Sequence, residues 1–186
     1  MTTSTAPPAL AAGRWTVDPA HSTASFRVAN LGRTVTGTVP IIEGTVEIDD
    51  HGRPGLISGS LDLGAIDTGH RRRDRDLRQP KLLDLDTHPT MTFTAGASSA
   101  GASSTGAVTA TPAGWQIAGQ LAVRGTSVTV SGPAEVAPRG RAAIVTAHTR
   151  LDRRDLGIRA PRIMIGRIID ITVTATLTAT AATRLP

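Results

Sequence analysis

The sequence contains no cysteine and no tyrosine, and only two phenylalanines and two tryptophans among its 186 residues. Without cysteine there is no disulfide framework, no thiolate metal site, no cysteine nucleophile and no thiol redox chemistry. Four aromatic rings supply little for stacking bases, so single-stranded nucleic acid is not an expected partner. Lysine occurs once, at Lys81, and every other basic side chain is arginine. The 20 basic residues outnumber the 15 acidic ones, for a formal charge of +5, but so uniform an arginine preference reads as compositional bias. No apolar run approaches the roughly 20 residues that cross a bilayer. The opening MTTSTAPPALAAG lacks both a basic flank before Arg14 and the apolar core of a secretion signal. Residues 1–13 are therefore expected to be a flexible lead-in, 14–182 a single domain, and the location cytoplasmic.

What the chain does have is alternation. From Ile169 to Thr180 every odd residue is apolar and every even residue polar, the period of a strand with one buried and one wet face. Threonine fills much of the wet face, and its branched β-carbon favours extended backbone. The same pattern recurs in Ser22-Ala24-Phe26-Val28, in Val35, Val39 and Ile41, in Val46 and Ile48, and in Leu61, Leu63 and Ala65. Met91, Phe93 and Ala95 form another row, as do Trp115, Ile117, Leu121 and Val123, then Val128 and Val130, and finally Val145, Ala147 and Leu151.

Turn signals separate the rows. Asp49-Asp50-His51-Gly52, Thr111-Pro112-Ala113-Gly114, Arg124-Gly125-Thr126 and Pro138-Arg139-Gly140 each break the alternation, which predicts consecutive antiparallel pairing. The Ala/Ser/Gly/Thr stretch from Ala97 to Ala107 predicts a long hairpin loop. One segment departs from the pattern. His70 to Asp84 is charge-rich and carries Leu77, Leu82 and Leu83, which predicts a short helix near Arg71–Gln79, ended by Pro80.

An all-β chain of about eight strands, each with one apolar face, stacks as a sandwich or closes as a barrel. The apolar rows are mostly Val, Ile, Ala and Leu, with few bulky rings. Such small side chains leave a barrel of about eight strands partly unfilled, which predicts a lined cavity. A tightly packed sandwich is the alternative.

The residues carry a family resemblance. Trp15-Thr16-Val17-Asp18-Pro19-Ala20-His21-Ser22 followed by Phe26-Arg27-Val28 resembles the first strand of YceI-like proteins. Thr36-Gly37-Thr38-Val39 with Gly44-Thr45-Val46 is similar to the next hairpin. Ile66-Asp67-Thr68-Gly69, Arg73-Asp74, Leu77, Asp84, Pro89 and Phe93 resemble the central signature. Gly119 to Gly125, and Asp152 to Gly157 with Ile165-Gly166, complete the series. Asp76, Leu82-Leu83 and His88 depart from the usual residues. The resemblance implies a lipocalin-like antiparallel β-barrel with a long pocket for an extended apolar chain: a polyisoprenoid, an isoprenoid quinone or a fatty-acyl type ligand. It does not imply catalysis.

The candidate lining residues are Phe26, Val28, Leu61, Leu63, Met91, Phe93, Trp115, Ile117, Leu121 and Val173. His21, within the family-like first strand, is a candidate pocket-end or head-group residue. Arg73 and Asp74, within the central signature, are candidates for a head group or for a structural ion pair. The run from Arg71 to Lys81 has three readings: a clamp for a polar head group, a footprint for a polyanion or membrane surface, or an exposed helix with internal Arg–Asp pairs. A transport or sequestering role follows from the pocket. An enzyme using the same pocket on a prenyl or quinone substrate, and a polyanion-binding protein acting through Arg71–Arg78, are the alternatives.

Chemistry beyond binding finds little support. The five histidines have neither H-x-H nor H-E-x-x-H spacing, so no metal is expected. There is no G-x-S-x-G, P-loop or dinucleotide fingerprint, and no cofactor is expected. The acidic pairs at 49/50, 74/76, 84/86 and 152/155 fall in turns or charged segments. Strand edges leave a homodimer open as a further partnership.

Overall fold

The computed structural model describes residues 10–97, 105–158 and 165–180. Among the described residues nine strands follow one another: β1 (Gly13–Asn30), β2 (Arg33–Ile48), β3 (Pro54–Asp62), β4 (Thr90–Ala95), β5 (Ala107–Thr111), β6 (Gly114–Val123), β7 (Thr126–Arg139), β8 (Ala142–Asp152) and β9 (Ile168–Ala179). One helix, α1 (Arg71–Leu77), sits between β3 and β4. Every ladder is antiparallel, and the pairing of β4 with β6 closes β1–β2–β3–β4–β6–β7–β8–β9 into an eight-strand barrel. The barrel, not the sandwich, is thus the outlet this alternation takes, and closure leaves few free edges. β5 lies outside the ring of eight. It pairs with β6 over residues 114–118, continuing the edge that β4 occupies over 119–122. The hairpin loop expected at 97–107 falls mostly on residues 98–104, outside the described residues; its base is closed by the bridge between Gly96 and Thr105.

Several rows that look separate in sequence are single strands. β1 and β2 run for 18 and 16 residues, and each changes phase part-way. A register shift between Thr16 and Thr23 turns the inward set of β1 from Trp15 and Val17 to Ala24, Phe26 and Val28. An irregularity between Ile41 and Glu43 does the same in β2. Such bulges re-aim side chains where a strand bends around a barrel. Leu63 and Ala65 are not strand: β3 ends at Asp62, whose side chain accepts from the Ala65 N–H and caps a turn of 3-10 helix over Leu63–Ala65. Pro138 stays within β7, and the break comes later, at Gly140-Arg141. Residues 10–13 are tied to the barrel. Leu10 is buried, Ala11 accepts a hydrogen bond from the Trp15 indole at 2.9 Å, and β1 begins at Gly13.

The barrel has two distinct ends. The segment from Leu63 to Pro89 crosses one of them and forms a cap. Leu77, Leu82, Leu83 and Leu85 pack onto the interior cluster there, and Leu85 is only 1% exposed. Arg124, in the β6–β7 turn, donates to the Leu82 carbonyl and, at 3.2 Å, to that of Pro80. Arg78 donates to the Gly64 carbonyl and to Asp86, both at 2.8 Å. The cap thus rests on four leucines and two arginines, and α1 alone buries no residue fully.

Two glycines make room for the phenylalanines. A Cβ at Gly37 would stand 2.5 Å from the Phe26 ring and 2.8 Å from the Asp67 carbonyl. A Cβ at Gly119 would stand 2.7 Å from the Phe93 ring. Each ring therefore lies over the bare backbone of a nearby strand. At Gly59, by comparison, an added Cβ meets only backbone at 3.5 Å or more. Gly37→Val is expected to lower the unfolding free energy by about 1–3 kcal/mol through overpacking, and Gly59→Ala to change it by less than about 1 kcal/mol. Urea unfolding of the two variants checks this ordering.

Candidate ligand site inside the barrel

The register assigns the interior. Trp15 pairs with Val46, Ala24 with Val39, Leu61 with Met91, Phe93 with Leu121, Trp115 with Ala134, and Val145 with Ala175. Apolar faces apolar across each ladder, because side chains at paired positions project from the same side of the sheet. The buried residues separate into two clusters. At the capped end, Leu63, Met91, Leu121, Val123, Leu151, Leu156 and Ile158 pack with Phe26, Leu61 and Phe93. At the opposite end, Leu10, Trp15, Ile48, Ala143 and Leu177 pack with Val17, Val46, Val136 and Val145. Between them the inward positions are small: Gly59, Ala95, Gly119 and Ala147.

A cavity of about 70 Å³ opens in the uncapped cluster. Trp115, Ile117, Val46, Val136, Val145 and Leu177 form its walls, and Leu10, Gly52 and Pro54 border it from the N-terminal segment and the β2–β3 turn. None of its lining residues is charged. Such a space is dry, because a water there finds no hydrogen-bond partners. It accepts hydrocarbon and offers nothing to a polar group.

The ten lining residues expected from sequence divide between the two ends. Trp115 and Ile117 line the cavity. Phe26, Leu61, Leu63, Met91, Phe93, Leu121 and Val173 pack in the capped cluster. Val28 is half-buried near the end of β1. Leu10, Ile57, Ala134, Val136, Val145 and Leu177 were not on that list. Leu10 lies before the first strand; the other five are strand residues, and which end of the barrel holds the space depends on closure and register.

The polar candidates lie elsewhere. His21 is on the outside of β1, where its Nδ1 meets Asp18 Oδ2 at 2.8 Å. That hydrogen bond, aided by the Ala20 N–H and opposed by partial burial, holds the Asp18 carboxyl below its ordinary range. Arg73 and Asp74 are not paired with each other, and neither enters the cavity. Both grip the buried Thr68: Arg73 donates to its hydroxyl and its carbonyl at 2.8 Å, and Asp74 accepts from its hydroxyl at 2.5 Å and its N–H at 3.1 Å. Among the described residues no Arg–Asp ion pair lies within α1, while Arg78 just beyond it pairs with Asp86. Arg73 and Asp74 instead fix the start of α1 to the strand-like residues before it. Among the described residues no three His, Asp or Glu side chains assemble a metal site.

One carboxylate at the capped end is strongly perturbed. Asp152 ends β8 and receives Arg167 and, at 3.3 Å, Arg154. Burial opposes its charge, but the Arg154 N–H and the two guanidinium groups outweigh that and hold the pKa far below the ordinary carboxylate value. A depressed pKa stabilises the fold above the unfolded value of about 3.9, and that contribution is lost as pH falls below it. Asp152→Asn is therefore expected to lower the melting temperature near neutral pH, with the gap to wild type narrowing in acid. Thermal unfolding across pH reads this directly.

The geometry now fixed is an eight-strand antiparallel barrel, apolar inside, capped at one end by a charged insertion between β3 and β4. The YceI-like domain matches residues 15–177, the whole barrel and its cap. The chain belongs to the YceI-like family. It is 29% identical over 77 residues to Protein YceI of Salmonella paratyphi B and, equally, to a UPF0312 protein of Pectobacterium atrosepticum. These alignments span 40% of this chain and 40% of each relative. Solved structures share the fold at low identity. BcnA of Burkholderia cenocepacia superposes with a TM-score of 0.68 at 19% identity, over 86% of this chain and 98% of its own. A polyisoprenoid binding domain from Saccharophagus degradans, implicated in plant cell wall breakdown, gives 0.63 at 14%, over 89% and 98%. The Campylobacter jejuni YCEI protein gives 0.62 at 14%, over 74% and 80%.

Proposed function

We propose that this YceI-like protein is a non-catalytic carrier that holds a long-chain apolar molecule, isoprenoid-like in kind, inside its barrel. The observation that carries the reading is the apolar cavity at the uncapped end, walled by Trp115, Val136 and Leu177 without a charged group. Supporting it, the S. degradans domain of the same fold is described as polyisoprenoid-binding. A prenyl or acyl chain enters beside the β2–β3 turn, tail first. At about 70 Å³ the cavity accepts only the leading carbons. The rest of the tail follows the small waist positions, and the half-buried rings of Phe26 and Phe93 swing aside to admit it. Each buried methylene contributes about 0.8 kcal/mol. About four isoprene units therefore outweigh an association cost of about 4–15 kcal/mol. The head group stays near the mouth, where it meets no dedicated polar clamp.

The chain carries its own reporters. Its two tryptophans, Trp15 and Trp115, both belong to the uncapped end. Titration with a long-tailed isoprenoid quinone is expected to quench their fluorescence to saturation at one ligand per chain. The tail-less parent quinone is expected to give only collisional quenching. Equal quenching by both compounds overturns the reading.

A further inference from the structure

Three large hydrophobic side chains are exposed among the described residues, and two of them share the capped end: Leu31, 65% exposed, and Ile168, 44% exposed. Leu31 stands at the tip of the β1–β2 hairpin. Its backbone is left-handed, with φ 48°, followed by Gly32 at φ 75°. A two-residue turn with both residues left-handed favours Asn-Gly or Asp-Gly. A branched apolar residue there is disfavoured by the left-handed backbone. The β6–β7 turn shows what an unstrained purpose looks like: Arg124 also has φ 53°, but its side chain is anchored on the cap. Leu31 has no such anchor. Such a break in local rules points to use rather than stability. Ile168 is close by, because Gly166 donates to the Ala29 carbonyl at 2.7 Å and holds the start of β9 beside the end of β1.

The charge around this tip is one-sided. Arg33, Arg71, Arg72, Arg75 and Lys81 are exposed at the capped end, and among the described residues none has an ion pair or a side-chain hydrogen bond. Most of the acids near them are engaged: Asp152 by Arg154 and Arg167, Asp170 by Arg150, Asp86 by Arg78, Asp74 by Thr68 and Asp76 by Gln79, while Asp155 is exposed. At the uncapped end the balance differs, with Arg14, Arg53, Arg139 and Arg141 set against Glu47, Asp49, Asp50 and Glu135.

We propose that the capped end docks on an anionic lipid surface, with Leu31 inserted among the headgroups and the free arginines of the β1–β2 turn and α1 around it. An apolar tip at the same end of the barrel as these unpaired cations matches an interface that is apolar beneath and negative above. A soluble polyanion would use the cations and leave Leu31 without a role. The inference does not rest on the carrier reading, since docking is measured without any cargo.

The test is co-sedimentation of the full chain with phosphatidylcholine vesicles, with and without phosphatidylglycerol. Binding is expected only with the anionic lipid, and it weakens as salt rises. Arg33→Glu and Arg72→Glu are each expected to lower partitioning by about fivefold or more. Arg139→Glu, at the other end, is expected to leave it unchanged. Leu31→Asn is the sharpest variant. It suits the turn better, so the melting temperature holds or rises while partitioning falls about tenfold. Failure to sediment with phosphatidylglycerol vesicles overturns the proposal. So does an equal loss from Arg139→Glu, or competition by heparin combined with unchanged partitioning of Leu31→Asn, which would make the surface a polyanion site.

Discussion

Arg153→Ala is expected to lower the unfolding free energy by about 3–5 kcal/mol, among the largest effects of any single change in this chain. Arg153 follows the last residue of β8 and is only 2% exposed. Its Nε donates to the Gly166 carbonyl at 3.0 Å, and its terminal nitrogens to Ile158 at 2.7 Å and Ile165 at 3.3 Å. One guanidinium thus satisfies three carbonyls on both sides of the β8–β9 connection. It brings Leu156 and Ile158 into the cluster under the cap. Removing it strands those carbonyls away from water and releases both apolar residues. Lysine does not substitute, because a single ammonium cannot span the fork. Urea unfolding of Arg153→Ala and Arg153→Lys should show both well below wild type. A loss under about 1 kcal/mol for Arg153→Lys would mean that charge, not the fork, holds the loop.

Trp115→Ala is expected to cost a similar amount, about 3–5 kcal/mol, because it removes the largest wall of the uncapped cavity. Trp115 is 6% exposed and pairs in register with Ala134, itself 2% exposed. The opposite change acts on the same space. Ala134→Leu extends a side chain into the cavity that Trp115 faces, and cavity filling is stabilising or neutral, by up to about 2 kcal/mol. The two variants separate folding from binding. Trp115→Ala destabilises the barrel while enlarging its entrance. Ala134→Leu keeps the fold and is expected to weaken quinone-tail binding by about tenfold or more, the loss of roughly two buried methylenes. Unchanged affinity in a folded Ala134→Leu protein would place the ligand elsewhere.

How far the sequence reached can be seen residue by residue. The alternation from Ile169 to Thr180 appears as β9 almost to the residue, since period two is a local signal. The helix near Arg71–Gln79 appears as Arg71–Leu77. The turn at Arg124-Gly125 is where its chemistry puts it. What escaped was non-local. The bulges that merge Trp15 and Phe26 into one strand depend on barrel curvature, which no short window contains. Arg73 and Asp74 look like a natural ion pair in sequence, yet both turn to Thr68, whose backbone and hydroxyl satisfy each more completely. Leu10 looked like part of a tail because its burial is supplied by Ile48 and Leu177, which come from distant parts of the chain. The cavity wall at Val136 and Val145 was likewise invisible until β7 and β8 were paired.

The most direct measurement of a long apolar chain in the barrel is native mass spectrometry of the purified protein, followed by organic extraction and identification of what is released, and repeated after incubation with a long-tailed isoprenoid quinone. The expected result is a mass increment of one lipid per chain, released intact by solvent and reduced in Ala134→Leu. A protein that stays at its bare mass both as purified and after incubation would contradict it.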